Sequence, residues 1–163
     1  MEQSPPLSVI RRLYRELAMR LMFQLQISGQ KPEEIVFLFE QSFEPEKDEE
    51  LSLELTQETF ALAWPKAKEL FLGACRKLPE LDAGIEKASA NWSLRRISPI
   101  DLALIRLAYF EMLYREDIPN KASLNEAIEI AKNFGDQDST SFINGVLDKL
   151  LADLERTAPS VDE

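Results

Sequence analysis

Along the first third of the chain, apolar residues recur at steps of three and four: Ile10, Tyr14, Leu17, Leu21 and Leu25. That spacing is one face of a helix. It predicts a helix over 8–27, closed by Ser28-Gly29 with Gly29 suited to a left-handed cap. A second, short helix opens at Pro32-Glu33-Glu34 and runs to about Phe43. A proline fits the first helical position, and two acids complement the helix N-terminus. Residues 44–50, six of them charged, read as an acidic connector and a solvated loop. Residues 51–78 return to the helical period with Pro65 inside, so that helix is expected to kink or restart there. Pro79 starts another short helix to about Ser89, and Asn91-Trp92-Ser93 leads onward.

The second half is more sharply punctuated. Ser98-Pro99-Ile100-Asp101 opens a helix: serine caps it, proline takes the first position, and Asp101 sits in the first turn. From Leu102 to Tyr114 the residues are apolar almost all round, which predicts the most buried, central helix. Ile118-Pro119-Asn120 breaks it. Ser123 and Glu126 have the spacing of a capping box opening the next helix, which ends at Phe134-Gly135. Asp136 to Ser139 then caps a last helix from Thr140 to about Glu155. The fold class is all-α, about seven helices joined by short connections. Residues 1–7 read as a flexible N-terminal tail, 8–155 as one helical domain, and 156–163 as a loose tail.

Composition narrows the chemistry. The chain has 163 residues, one cysteine and no histidine. One cysteine forms no internal disulfide, which suits a reducing compartment. Cys75, beside Gly73 and Ala74, is read as a small packing residue. Without histidine there is no Ser-His-Asp triad, no thiolate–imidazole pair and no ordinary zinc site. No glycine-rich phosphate loop is present, and the acids are scattered along amphipathic patterns. No cofactor or metal is expected. The start of the chain is not a signal peptide, and no apolar run is long enough to span a bilayer. A soluble, cytoplasmic protein that is not an enzyme is expected.

Charge is uneven. The formal net charge is -10, yet residues 1–31 carry five bases and two acids. Residues 32–91 carry six bases and fourteen acids. Arg11, Arg12 and Arg15 lie on an arc beside the apolar stripe of the first helix at about 100° per residue, while Arg20 points elsewhere and is read as surface. An arc of this kind is either a solvated helix face or a contact with an anion.

Several stretches resemble the NusB family of transcription antitermination factors. Residues 123–135, SLNEAIEIAKNFG, followed by 138–148, DSTSFINGVLD, match its C-terminal half, as does 94–111, LRRISPIDLALIRLAYFE. Residues 15–23, RELAMRLMF, are similar to its first helix, with Phe23 where an aromatic is usual. The resemblance covers roughly residues 8–152 and is weakest at 31–65, where the connector is longer.

It implies two small helical bundles packed together. It also implies binding of the boxA element, a short single-stranded RNA signal in nascent ribosomal transcripts, together with NusE, a small-subunit ribosomal protein. Through them it implies indirect contact with the RNA polymerase elongation complex. Arg11, Arg12 and Arg15 match the family's arginine-rich RNA-binding motif, here interrupted by Leu13-Tyr14. Guanidinium forks pair with phosphates and stack on bases. Asp138 and Phe142 fall on positions that contact RNA, and Asp101 on one associated with NusE. Each has a plainer reading beside it: a helix cap for Asp138, core packing for Phe142 with Val146 and Leu150, and dipole complementation for Asp101.

Arg106 and Glu111 read as paired structural charges, Asn144-Gly145 as a point of close helix packing, Trp92 as a packed anchor rather than a stacking platform, and Lys132 as a surface lysine rather than a phosphate contact. A homodimer, which would cover the RNA surface, stays open. Two other classes stand beside RNA binding: a docking module of the same fold without an RNA role, and the NusB-like N-terminal domain that some RNA cytosine methyltransferases carry. No catalytic cysteine motif or cofactor loop supports the last.

Overall fold

The computed structural model describes residues 3–51, 55–90 and 92–157. The chain divides into two compact units, the first ending at Lys77 and the second beginning at Leu78. Among the described residues all regular structure is helical. No helix among them is long and apolar enough to cross a membrane.

The first unit is built on α1 (Leu7–Ser28) and α3 (Gln57–Arg76), which lie along one another, with α2 (Pro32–Ser42) touching both. The stripe read from sequence is buried at Ile10, Tyr14, Leu17 and Leu21, and burial extends to Leu13, Ala18, Met19 and Met22. Gly29 closes α1 with φ 68° and donates its N–H to the Leu25 carbonyl at 2.9 Å. This left-handed backbone favours glycine. On α3 the inward face alternates small and large residues: Ala63, Ala67, Leu70, Phe71 and Ala74 are fully or almost fully buried. The Thr56 hydroxyl caps α3 by accepting from Thr59 N at 3.1 Å.

The expected break at Pro65 does not occur, and α3 runs through it as one helix. Pro65 lacks an N–H for the Ala61 carbonyl, but both residues are exposed, so water can serve that acceptor. A run of aromatics fastens α2 to α3: Phe43 meets Phe39 at 4.4 Å between centroids, Phe39 meets Trp64 at 4.9 Å, and Trp64 meets Phe60 at 5.7 Å. Glu40 accepts from Trp64 Nε1 and from Lys68 Nζ, both at 3.0 Å, and these bonds hold its carboxyl below the usual range.

The acidic connector is not a free loop. Pro45–Lys47 form a short 3-10 turn with Pro45 buried. Asp48 accepts from Arg20 Nη1 at 2.7 Å and from the Leu51 N–H at 3.1 Å. Glu50 lies 3.3 Å from Arg20 Nη2. The segment is solvated as its composition suggested, with Glu44, Glu46, Lys47, Glu49 and Glu50 exposed, and a salt bridge from α1 tethers it at Asp48.

The second unit comprises α4 (Leu78–Ala88), α5 (Pro99–Tyr114), α6 (Asn120–Phe134) and α7 (Ser139–Thr157), with a 3-10 turn at Leu94–Arg96. As expected, α5 is central: it touches α4, α6 and α7, and every residue from Asp101 to Ala108 is buried. The Ser98 hydroxyl caps it, accepting from Asp101 N at 3.4 Å. Arg106 forms a two-pronged pair with Asp82 of α4, both bonds 2.9 Å, and buried Glu111 accepts from Ser123 Oγ at 3.3 Å.

Three expectations are overturned here. The capping box at Ser123 does not form, because α6 begins three residues earlier, after Pro119. Ser123 lies inside the helix, 1% exposed, and spends its hydroxyl on Glu111. Close helix packing occurs not at Gly145, where an added Cβ would meet nothing within 4 Å, but at Gly84, where it would meet the Tyr109 ring at 2.6–2.9 Å. Trp92 is no packed anchor, being 53% exposed. The last helix reaches Thr157, and residues 1–2, 91 and 158–163, parts of the expected tails and linker, lie outside the described residues.

Candidate nucleic-acid interface

In the first unit the candidate cations sit on the N-terminal half of α1 and differ sharply in environment. Arg11 is exposed and Arg12 half-buried, whereas Arg15 is only 6% exposed. The Arg15 guanidinium lies over the Tyr14 ring, 4.8 Å from its centroid, and its Nη1 donates to the Arg11 carbonyl at 3.5 Å. Cation–π contact and burial along the stem make Arg15 a residue of the helix body. Arg20, half-buried, is engaged by Asp48 and Glu50 and covers the Phe43 ring at 5.4 Å. Of the four arginines in the first helix, Arg11 is the exposed one.

In the second unit Asp138 and Phe142 are one turn apart at the start of α7, joined by the Phe142 N–H to Asp138 carbonyl bond at 3.1 Å. Asp138 is exposed. Ser139 Oγ accepts from Asp136 N at 2.8 Å and so closes the turn that leads into α7. Phe142 is half-buried, between the surface and the buried Val146 and Leu150 of its stripe. Its ring meets that of Trp92 at 6.3 Å.

Asp101 is 6% exposed, and its Oδ1 is buried without a hydrogen-bond partner among the described residues. Loss of hydration pushes its carboxyl above the usual range, and the nearby charge of Asp136 adds to this. Bonding with the Ser139 and Ser98 hydroxyls pulls the other way. Through Ser139, Asp101 adjoins the turn that presents Asp138. A buried, incompletely satisfied carboxylate is costly and marks a candidate functional position.

Near Trp92, which the sequence reads as a packed anchor rather than a stacking platform, stand Arg95 and Arg96, which it does not single out. All three are exposed and fall within five residues, the arginines on the 3-10 turn. An aromatic followed by two guanidiniums, in a stretch without helical period, was the available signal. Among the described residues no group of three acidic or cysteine side chains could hold a metal ion.

The NusB family model matches residues 12–152. A transcription antitermination protein NusB from Desulforamulus reducens is 38% identical over 93% of this chain and 96% of its own length. One from Acetivibrio thermocellus is 40% identical over 86% of this chain and 88% of its own. Among solved structures, NusB from T. maritima shares the fold with a TM-score of 0.70 and 29% identity, over 92% of this chain and 93% of that one. A crystal structure of antitermination factors NusB and NusE in complex with dsRNA aligns with a TM-score of 0.69 at 21% identity, over 88% of this chain and 97% of that one, and speaks for the fold.

Proposed function

The chain belongs to the NusB family, and we propose that it acts in transcription antitermination by binding unpaired boxA-type RNA together with a NusE-type ribosomal protein. The carrying observation is 38% identity to a named antitermination protein across 93% of the chain. In this reading Arg11 and Arg12 pair with phosphates through their guanidinium forks. Arg15 belongs to the same site from a buried position, holding the helix surface that presents Arg11. Phe142 offers its ring for stacking on an unpaired base, and Asp138 accepts from a base amino or imino group. Asp101, with a carboxylate oxygen that no described group satisfies, is the partner contact, because a donor from NusE would complete it. The chain works as a cytoplasmic binding protein, without catalysis of its own, and meets RNA polymerase through its partners.

The test is a titration of a short boxA-like RNA and a scrambled control, each with and without the NusE-type protein, at two salt concentrations. Sequence-dependent binding strengthened by the partner is expected. Partner binding with no affinity for either RNA would make the protein a docking module and return Arg11 and Arg12 to a solvated helix face.

A further inference from the structure

Trp92 stands in an unusual position for so large an apolar side chain. Its main chain is held on both sides: its N–H donates to the Ser89 carbonyl at 3.2 Å, and the Ser89 hydroxyl donates back to the Trp92 carbonyl at 3.0 Å. Ser89 itself is buried, and the same hydroxyl also lies 3.2 Å from the Glu86 carbonyl. The indole, by contrast, is 53% exposed. It is oriented by one aromatic neighbour, the Phe142 ring, at 6.3 Å and tilted by 48°. Just beyond, buried Ile97 anchors the 3-10 turn that carries exposed Arg95 and Arg96. Trp92 lies two residues before this turn, so Arg95 and Arg96 follow it closely along the chain. A fixed aromatic left in water beside two long cations is how proteins hold unpaired nucleotides: the ring stacks on a base, and the guanidiniums engage the backbone phosphates.

We infer that Trp92 and Phe142 form an aromatic step on which a base of single-stranded RNA stacks, with Arg95 and Arg96 pairing with its phosphates. The inference rests on the RNA-binding reading above and adds a stacking subsite within the second unit, distinct from the arginines of α1. The indole takes a base of any identity, because every base offers a flat face, so this subsite adds affinity and register more than sequence choice.

The test uses the full chain with the NusE-type protein and a fluorescently labelled single-stranded boxA-like RNA. Variants W92A, W92F and R95Q/R96Q are compared with R11A/R12A, with thermal melting as the check on folding. W92A should bind the RNA about 5- to 100-fold more weakly, the effect of losing one base–aromatic stack, and W92F should recover most of that. Tryptophan emission gives an independent readout: Trp64 is 8% exposed, so a change on RNA addition should come from Trp92 and vanish in W92F. R95Q/R96Q should flatten the dependence of log affinity on log salt by about 0.7 for each phosphate that is no longer neutralised.

RNA affinity of W92A within about twofold of the parent, with unchanged emission, overturns this inference and leaves the RNA-binding reading standing. Failure of W92A to bind the NusE-type protein in the absence of RNA assigns the indole to a protein interface and overturns it too. No RNA binding by the parent chain removes both.

Discussion

Asp101→Asn separates what the fold wants from what the site wants. Asp101 lies in the first turn of α5, where a negative charge gains about 0.3–1 kcal/mol from the helix dipole. Against that, one carboxylate oxygen is buried without a partner, a cost of about 1–3 kcal/mol, and Asp136 repels the charge further. Asparagine keeps the shape and removes the charge. The variant should therefore be more stable at pH 7 by about 1 kcal/mol, or about 2–4 °C in melting temperature for a chain of this size.

The pH dependence has a definite sign. The folded pKa of Asp101 is raised above the ordinary 3.8, so the folded state holds this proton more tightly than the unfolded one. Its stabilising contribution is complete below 3.8 and is lost as pH rises through the raised value. The gap between variant and parent should thus open with rising pH and close in acid. Paired thermal melts from pH 3 to pH 8 measure it. A variant less stable than the parent at pH 7, or a gap independent of pH, would refute the reasoning. The same variant should bind the NusE-type protein more weakly, since the carboxylate is proposed as its contact.

Gly84→Ala should be destabilising despite a helix gain of about 1 kcal/mol, because the new Cβ would meet the Tyr109 ring at 2.6–2.9 Å and overpacking costs about 1–3 kcal/mol. Gly145→Ala has open space and should be stabilising by about 0.5–1 kcal/mol; denaturant melts giving both glycines the same sign would falsify the placement of Tyr109. Leu107→Ala, at 3% exposure in the central helix, should lower stability by about 2–5 kcal/mol in urea unfolding. Arg11→Ala should shift stability by no more than about 0.5 kcal/mol while weakening RNA binding. Arg15→Ala should lower melting temperature, because its guanidinium is buried over Tyr14, and an unchanged melt would return it to the surface.

What could be read in advance was whatever local chemistry decides alone. The apolar run of 102–114 has no polar face to offer water, so its central place follows from composition. Ser98-Pro99 and Ser28-Gly29 mark helix ends because a cap and a left-handed turn involve only neighbours in sequence. Apart from the unbroken helix at Pro65 and the exposed Trp92, what sequence does not show has one cause, a partner distant along the chain. Ser123 has the spacing of a capping box, yet Glu111, twelve residues earlier, takes its hydroxyl. The connector 44–50 has the composition of a solvated loop, yet Arg20, from another helix, holds Asp48. Gly84 and Gly145 are alike in sequence, and only the position of Tyr109 distinguishes them. In the candidate site the residue types at Arg11, Asp138 and Phe142 were legible, whereas the burial of Arg15 and the exposure of Trp92 depend on which way each helix face turns.

On the proposed RNA-binding reading, the fate of the arginines bears on how a chain of net charge -10 would select among polyanions. A uniform basic face would attract RNA at long range and of any sequence. Here Arg20 is held by Asp48 and Glu50 of the connector, and Arg15 is folded onto Tyr14. Among the exposed arginines are Arg11 in one unit and Arg95 and Arg96 in the other. Each acts over about 8 Å at physiological salt before screening removes it. Affinity built from a few short-range contacts must then come from simultaneous fit: cations on phosphates, rings on bases, and a partner protein sharing the RNA. On the proposed RNA-binding reading, the clamp of Arg20 by the connector would belong to the binding design as well. Released, Arg20 would add a cation and lower the discrimination between a seated strand and any other polyanion.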